Sequence, residues 1–217
     1  MHCTRWTTRG SALATCCSLT RTERKKRWIR RRISKLPECS VILSQDETDL
    51  LLFPPLRFAW APRGVQAKVW LTGRNASRVL FGTVNVRTGH LVLLCREHQR
   101  APDFCAFLHE VRRRYPGRHV ALLLDGDSSH TAKASQLLAG KLGMTLLWLP
   151  TRSPHLNPIE HLWRDLKQNV SANRQDASID MLVARVLRHL QRLPRRTVLR
   201  KAGVLSRRFW LRSALSK

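Results

Sequence analysis

Three carboxylates, Asp46, Asp125 and Glu160, are the residues of this sequence best placed to do chemistry. Asp46 follows the apolar run VILSQ, Asp125 follows HVALLL, and Glu160 begins the segment EHLWRDLK. A strand or helix would present each of them at one end of a sheet. Three close carboxylates repel one another, and one takes up a proton unless a cation offsets the charge. Because such oxygen ligands suit Mg²⁺ or Mn²⁺, the pattern favours a two-metal enzyme that cuts phosphodiester bonds.

Other titratable residues lie close in sequence to Asp46 and Asp125, and each has a possible role of its own. Glu47 and Asp49 compete with Asp46, but only Asp46 directly ends the apolar run. Asp127 is expected to be the N-cap of the next helix or a loop acid. His130 could contact phosphate or brace the loop after the strand.

Glu160 also has a purely structural interpretation. Asn157 suits a helix N-cap, Pro158 suits the first helical position, and Glu160 then falls at the third position. This is the spacing of a capping box, in which Glu160 would bond back to the amide of Asn157. Local sequence alone therefore leaves a cap and a metal ligand as alternatives.

The elements that must position these residues alternate in type along the chain. The apolar patterns predict strands at 41–45, 67–73, 77–86, 90–95, 119–125 and 145–150. They predict helices at 101–117, 131–144, about 158–172 and about 178–193. The expected fold is α/β: a mixed sheet, with an antiparallel meander followed by buried parallel strands, flanked by helices. Trp60 and Trp163 are expected to lie in the core.

The charge of the chain implies a polyanionic partner. The sequence has 40 Lys and Arg against 14 Asp and Glu, a formal net charge of +26. Nucleic acid is the partner that this balance favours, with binding that weakens as salt rises. No apolar stretch approaches the ~18 residues that a membrane span needs, so no membrane partner is expected. The six cysteines form no CxxC pair, which fits the reducing cytoplasm.

The two ends of the chain are predicted to be basic arms around a central domain. Residues 1–40 carry 11 Lys and Arg against two Glu, with a helix expected around Arg21–Ser34. The tail 194–217 carries eight Lys and Arg and no acid. Both arms could bind nucleic acid; the first could instead be a disordered solvated tail, and the second could pack on the core through Leu205, Phe209 and Leu211. The domain between them is expected at 41–193.

Two phrases of the sequence resemble a known family. SPHLNPIEHLWRDLK and VALLLDGDSSH, at this spacing, resemble the DDE transposases of the mariner superfamily, in its bacterial insertion-sequence branch. The resemblance runs from about residue 41 to 170 and includes DET, WAPRG and VLFGTVNVRTG. It implies an RNase H-like catalytic domain in which Asp46, Asp125 and Glu160 are the catalytic and metal-binding acids. That implication favours the metal ligand over the cap for Glu160.

The resemblance also implies a reaction. Two Mg²⁺ or Mn²⁺ ions would be held about 3.5–4 Å apart, with Asp46 on both and each of the other acids on one. Water would cut the DNA and free a 3′-OH, which would then attack target DNA in the same site, in transposition of an insertion element. Seven residues are candidate nucleic-acid contacts: Arg30, Arg31, Arg32, Arg63, His130, Arg152 and Lys167.

The expected partners are double-stranded DNA at the element ends and target, and a second copy of the chain on that DNA. Relatives usually carry a helix-turn-helix region before the first acid, so the sequence is expected to be a catalytic half. It would be either a truncated copy or the second product of a split reading frame, and in the second case a separate helix-turn-helix product would be its partner. Gly126 also stands where relatives commonly have Asn. Two alternatives stay open: a non-catalytic DNA-binding remnant of a transposase, and an RNase H-like nuclease without strand transfer.

Overall fold

The protein is built on a five-stranded mixed sheet. A computed structural model describes residues 9–66 and 68–215. The strands are β1 (Val41–Leu51), β2 (Ser77–Asn85), β3 (Leu91–Arg96), β4 (Val120–Leu124) and β5 (Met144–Trp148). Their order in the sheet is β3-β2-β1-β4-β5. β1, β2 and β3 pair antiparallel, whereas β4 and β5 run parallel to β1, so the predicted combination of a meander and parallel strands is present.

Helices cover both faces of this sheet. They are α1 (Arg9–Ser34), α2 (Ala101–Arg114), α3 (Ser128–Thr131), α4 (Lys133–Lys141), α5 (Pro158–Asn169), α6 (Ile179–Arg192), α7 (Arg195–Lys201) and α8 (Arg212–Leu215), with a 3₁₀ turn at Pro154–Leu156. One core cluster joins the first face to α2 and α4, and includes Phe104 and Phe107. Two further clusters lie on the opposite face, one with α5 and α6 and the other with α1 and α8. Because side chains alternate along a strand, neighbouring residues of β1 serve different faces.

Two predictions are wrong, one about a strand and one about the burial of a tryptophan. Residues 68–73 form no strand, and Ala67 lies outside the described residues. β2 already has β1 and β3 on its two sides, so this segment cannot pair with β2, and Trp70 is 89% exposed. Trp60, expected in the core, is fully exposed in the same loop, whereas Trp163 is buried as predicted.

The basic ends of the chain contribute to the core. Ile29 and Ile33 of α1 are buried in one cluster with Leu211 and Ala214 of the tail. Phe209 packs against the same cluster, as predicted, but Leu205 is 51% exposed and does not. Residues 1–8 of the N-terminal arm lie outside the described residues. No helix in the described part of the chain is long and apolar enough to cross a membrane.

Candidate active site

Register brings the two aspartates together. β1 and β4 pair with Val41 opposite Val120 and Ser44 opposite Leu123. Continuing this register by two residues places Asp46 beside Asp125, just beyond the last residue of β4. The sequence suggested that Asp46 ends its strand, but β1 continues past it to Leu51. β1 runs on because β2 pairs with it as far as Leu51, beyond the end of β4.

Glu160 is delivered by a helix that is fixed to β1. Asn157 precedes α5, and its side-chain oxygen accepts a hydrogen bond from the Ser44 hydroxyl. Its Nδ2 donates to the carbonyl of Gln45 at 2.9 Å, and the amide of Ile159 donates to Ser44 Oγ at 3.3 Å. The side chain of Asn157 is thus committed to the strand, and it makes no cap hydrogen bond. The capping-box alternative for Glu160 is therefore wrong, because the amide of Asn157 donates to Pro154 instead.

A glycine allows α5 to lie this close to the sheet. Gly82 of β2 is the register partner of Asp46. A Cβ at Gly82 would lie 2.6 Å from ring atoms of Trp163 and 3.2 Å from Cδ1 of Ile159. The bare backbone of Gly82 thus provides the space in which Trp163 packs, and the first turn of α5 carries Glu160 towards Asp46.

The tail also supports this helix. The indole nitrogen of Trp210 donates to the carbonyl of Leu156 at 2.9 Å, one residue before Asn157. Leu156 is itself buried in the cluster that includes α1 and α8. The start of α5 is therefore held from the strand on one side and from the tail on the other.

Asp46 is surrounded by negative charge. Burial raises the pKa of Asp46 to about 8. The charges of three carboxylates add to the rise in this pKa: Glu47, Glu160 and Asp125. The negative charge around Asp46 therefore favours its protonated form unless a cation offsets that charge. This is the response expected of acids gathered to hold a metal.

Asp125 is turned towards a buried histidine. Nδ1 of His130 lies 3.0 Å from Oδ1 of Asp125, and Nε2 lies 2.9 Å from Oε1 of Glu47. The side chain of His130 has no exposed surface, whereas that of Asp125 is 57% exposed. Burial alone would lower the pKa of His130, but its hydrogen bonds to Asp125 and Glu47 raise it to about 10. The hydrogen bond from His130 lowers the pKa of Asp125.

Glu47, which the sequence offered only as a competitor of Asp46, has its own place in the site as a partner of His130. It points to the opposite face of β1 from Asp46, where its side chain is 5% exposed and also accepts from Gln45 Nε2 at 2.6 Å. The only signal in the sequence was the adjacent pair DE, and its meaning depends on His130, which lies 83 positions away. Asp127, in contrast, caps α3 as predicted, accepting from the amide of Ser129 at 2.8 Å.

The acids have the right chemistry for a divalent ion, but their side chains do not yet converge. Among the described residues, no three His, Cys, Asp or Glu side chains are arranged to hold a metal ion. Asp125 is engaged with His130, although more than half of its side chain is exposed. The carboxylate oxygens around Asp46, and the repulsion between their charges, fit a bound Mg²⁺ or Mn²⁺. The side chains would have to rotate to bring the carboxylates onto one ion.

The comparison with known families decides where this chain belongs. Residues 41–183 match the family described as DDE superfamily endonuclease. This range begins with β1 and contains all three acids. The chain belongs to the DDE superfamily endonucleases.

One relative of this DDE domain is a protein of an insertion element. An insertion element IS630 protein of Shigella sonnei, described as an uncharacterized 39 kDa protein, is 27% identical over 156 residues. The aligned part is 70% of this chain and 46% of that protein, so the chain spans less than half of this relative.

Solved structures confirm the predicted fold class of the DDE domain. The Mos1 strand transfer complex has a TM-score of 0.69 at 18% identity, covering 100% of this chain and 66% of that chain. The Mos1 transposase catalytic domain, solved with Raltegravir and Mg, has a TM-score of 0.61 at 17% identity, covering 91% of this chain and 94% of that one. At these identities the likeness concerns the fold.

The predicted nucleic-acid contacts of the DDE domain are dispersed. Five are exposed: Arg31, Arg32, Arg63, Arg152 and Lys167. Arg30 is partly buried and bonds the carbonyl of Lys26. The complete burial of His130 is at odds with direct contact to phosphate and favours a bracing role. Of these candidates, Arg152 lies in the loop after β5, four residues beyond the end of that strand. β5 pairs with β4, which leads to Asp125.

Proposed function

We propose that this chain is the catalytic part of a transposase that cuts DNA in the presence of a divalent metal and joins the resulting 3′-OH to target DNA. The observation that carries the proposal is the environment of Asp46. Three further carboxylates bear on it, in a chain with a net charge of +26. Membership of the DDE superfamily endonucleases gives this cluster its chemical meaning.

Asp46, Asp125 and Glu160 are the residues that would hold the metal, and two Mg²⁺ or Mn²⁺ ions are proposed. When bound, such ions polarise phosphate oxygens and offset charge in the transition state of phosphoryl transfer. The protein's own residues must then place the phosphate and keep the acids in position. β1 carries Asp46, the Asn157 contacts fix the start of α5, and His130 braces Asp125 from the buried side.

The reaction proposed is two successive displacements at phosphorus. Water forms a new P–O bond while the bond to the 3′ oxygen of the element end breaks, which leaves a 3′-OH and a 5′-phosphate. The 3′ oxygen then loses its proton to solvent and forms a bond to a target phosphorus. The P–O3′ bond of the target breaks in the same step, and the departing 3′ oxygen takes up a proton from solvent. One site serves both steps because each step builds up the same negative charge on the phosphate oxygens.

Two partners are part of the proposal. We propose that two copies of the chain act on a pair of DNA ends, and that a separate helix-turn-helix region recognises the end sequence, with the reaction taking place in the bacterial cytoplasm. We propose that complete transposition needs these partners as well as this chain, because the chain spans 46% of its IS630 relative.

End-joining tests the proposal directly. A labelled duplex that ends in a 3′-OH would be incubated with supercoiled plasmid, protein and Mg²⁺ or Mn²⁺. We expect label to become covalently attached to plasmid with the wild-type protein and not with Glu160→Gln. Nicking of plasmid without attached label would instead support an RNase H-like nuclease. Absence of both, with tight salt-sensitive DNA binding, would support the non-catalytic remnant.

A further inference from the structure

A large open groove lies between α1 and the loop that follows Asp125. Its volume is about 1380 Å³, above the ~300–1,000 Å³ typical of small-molecule pockets. One wall is the second half of α1, and the other is the chain after β4 and β5. Gly126, the residue after Asp125, lines the groove, so one end of the groove lies at the loop that follows this acid. A Cβ at Gly126 would meet no atom within 4 Å, which leaves this end open.

The groove is lined by cations. Arg21, Arg24 and Lys25 follow one face of α1 at helical spacing, and Arg152 faces them from the loop after β5. No acidic side chain is among the described residues that line it. Within the described chain, none of the three arginines forms an ion pair, whereas Lys26 pairs with Glu23 at 2.7 Å. The helix therefore keeps its groove-facing charges available for an anionic ligand.

An aromatic ring stands among these cations. Trp28 occupies the next helical turn of the same face of α1 and is 43% exposed. Lys25 Nζ lies 4.7 Å from its ring centre, and the guanidinium carbon of Arg32 lies 5.7 Å from it. Trp148, at the end of β5, lines the groove as well. A basic groove with aromatic rings is the arrangement that binds single-stranded nucleic acid, because phosphates meet the cations and bases stack on the rings.

The backbone at Arg152 supports a binding role. Arg152 has a φ of 55°, in the left-handed region that side chains other than glycine rarely adopt. Strain of this kind is found where a side chain must be held in a particular place. Arg152 lies in the loop after β5 and lines the groove together with residues of α1.

We propose that this groove binds an unpaired DNA strand that adjoins the phosphate in the active site. The inference rests on the proposed function, since it takes DNA to be the substrate. Single-stranded DNA fits better than a duplex because the faces of paired bases are covered by their neighbours, so Trp28 would have nothing to stack on. An unpaired segment presents both its phosphates and its base faces to the groove.

Binding in EDTA tests the groove without requiring catalysis. Fluorescence anisotropy would be measured with the full chain and an oligothymidine of about 15 nucleotides, within the range of single-strand sites, beside a duplex of equal length. We expect Trp28→Ala to weaken single-strand binding about fivefold or more and duplex binding less than twofold. Trp28→Phe should retain most of the affinity. Trp70→Ala is the control, because it removes a tryptophan that is even more exposed (89% against 43%) from a loop outside the groove.

The salt dependence tests the cations separately. Replacing Arg21 and Arg24 with Ser should lower the slope of log affinity against log salt by about 1.4 for the single strand, since each phosphate contact contributes about 0.7. The control replaces Arg188 and Arg192 of α6, which line a different groove. The assignment would be overturned if the α1 and α6 variants lost single-strand affinity equally. It would also be overturned if the α1 variant lost as much affinity for duplex as for single strand. Since no cleavage is needed, single-strand binding that survives a failed end-joining assay would separate the two proposals.

Discussion

His130 links Asp125, at the end of β4, to Glu47 of the neighbouring strand β1. Its two ring nitrogens lie 3.0 Å and 2.9 Å from the two carboxylates. The ring is fully buried and packs on Phe104 with ring centres 4.5 Å apart. Asp125 lies after the last residue of β4, where the backbone alone would leave its side chain free to rotate. The buried imidazole therefore holds one oxygen of Asp125, while more than half of the Asp125 side chain stays exposed.

Replacement of His130 should impair cutting through Asp125. His130→Gln and His130→Asn each remove the bridge and leave a buried polar group without its partner, at a cost of about 1–3 kcal/mol in the free energy of unfolding. We expect both to cut DNA more slowly and to need a higher metal concentration for half-maximal rate. Plasmid nicking titrated with Mn²⁺ measures both effects.

Glu47→Gln is the control for that experiment. It keeps an oxygen that can accept from His130 but removes a charge, and Glu47 faces away from Asp46 on β1. We expect it to keep most of the cutting rate. Loss of cutting as complete as that of an Asp46 variant would show that Glu47 is itself a metal ligand, against the geometry described here.

Gly82 should be intolerant of any side chain. Gly82→Ala would place Cβ 2.6 Å from the ring of Trp163, so α5 must shift or the strand must move. We expect a loss of about 1–3 kcal/mol in the free energy of unfolding and slower cutting, because Glu160 moves with the helix. Thermal unfolding and plasmid nicking measure the two effects.

Gly140→Ala offers a matched comparison. Gly140 lies within α4, and a Cβ there would meet no atom within 4 Å. Alanine is favoured over glycine inside a helix by about 0.5–1 kcal/mol, so this variant should be slightly more stable than the wild type. Similar destabilisation by both substitutions would contradict the packing role assigned to Gly82.

The stability of the metal-free protein should fall as pH rises. The folded pKa of Asp46, raised by burial and by its acidic neighbours, is about 8 against an ordinary 3.8. A raised pKa stabilises the folded state fully below pH 3.8, and this contribution is lost as pH rises towards 8. Urea unfolding in EDTA should therefore show lower stability at pH 8 than at pH 6, with a slope of at most about 1.4 kcal/mol per pH unit from this group.

Asp46→Asn isolates that effect. The variant cannot ionise at position 46, so its stability should depend less on pH over the same range. His130, whose pKa is raised, contributes a loss of the same sign in both proteins and cancels in the comparison. Identical pH profiles for the two proteins would contradict the environment assigned to Asp46.

Much of the fold was predictable because its signals are local. The apolar run before Asp125 and the helical spacing of Ile159, Leu162 and Trp163 identify β4 and α5 from the sequence alone. The pairing of Glu47 with His130 was not predictable, because it joins residues far apart in sequence. The same holds for Asn157, whose local sequence favours a cap but whose side chain bonds β1 instead.

Burial was harder to predict where the local composition suggests one environment and the fold provides another. The basic segment before β1 has no sustained apolar period, yet Ile29 and Ile33 are buried against the sheet. Trp60 has the composition of a core residue, but the proline-rich loop that carries it stands away from both sheet faces. In both cases the outcome depends on which surface lies nearby, and local sequence does not determine that.

The most direct test of the account compares Asp125→Asn with Asp127→Asn in metal-dependent nicking of supercoiled plasmid. Both variants remove one negative charge from the same loop, but Asn can still cap α3 at position 127. We expect the wild type and Asp127→Asn to nick plasmid with Mg²⁺ or Mn²⁺, and Asp125→Asn to bind DNA without nicking it. Undiminished nicking by Asp125→Asn would contradict the claim that Asp46, Asp125 and Glu160 form the metal-dependent site.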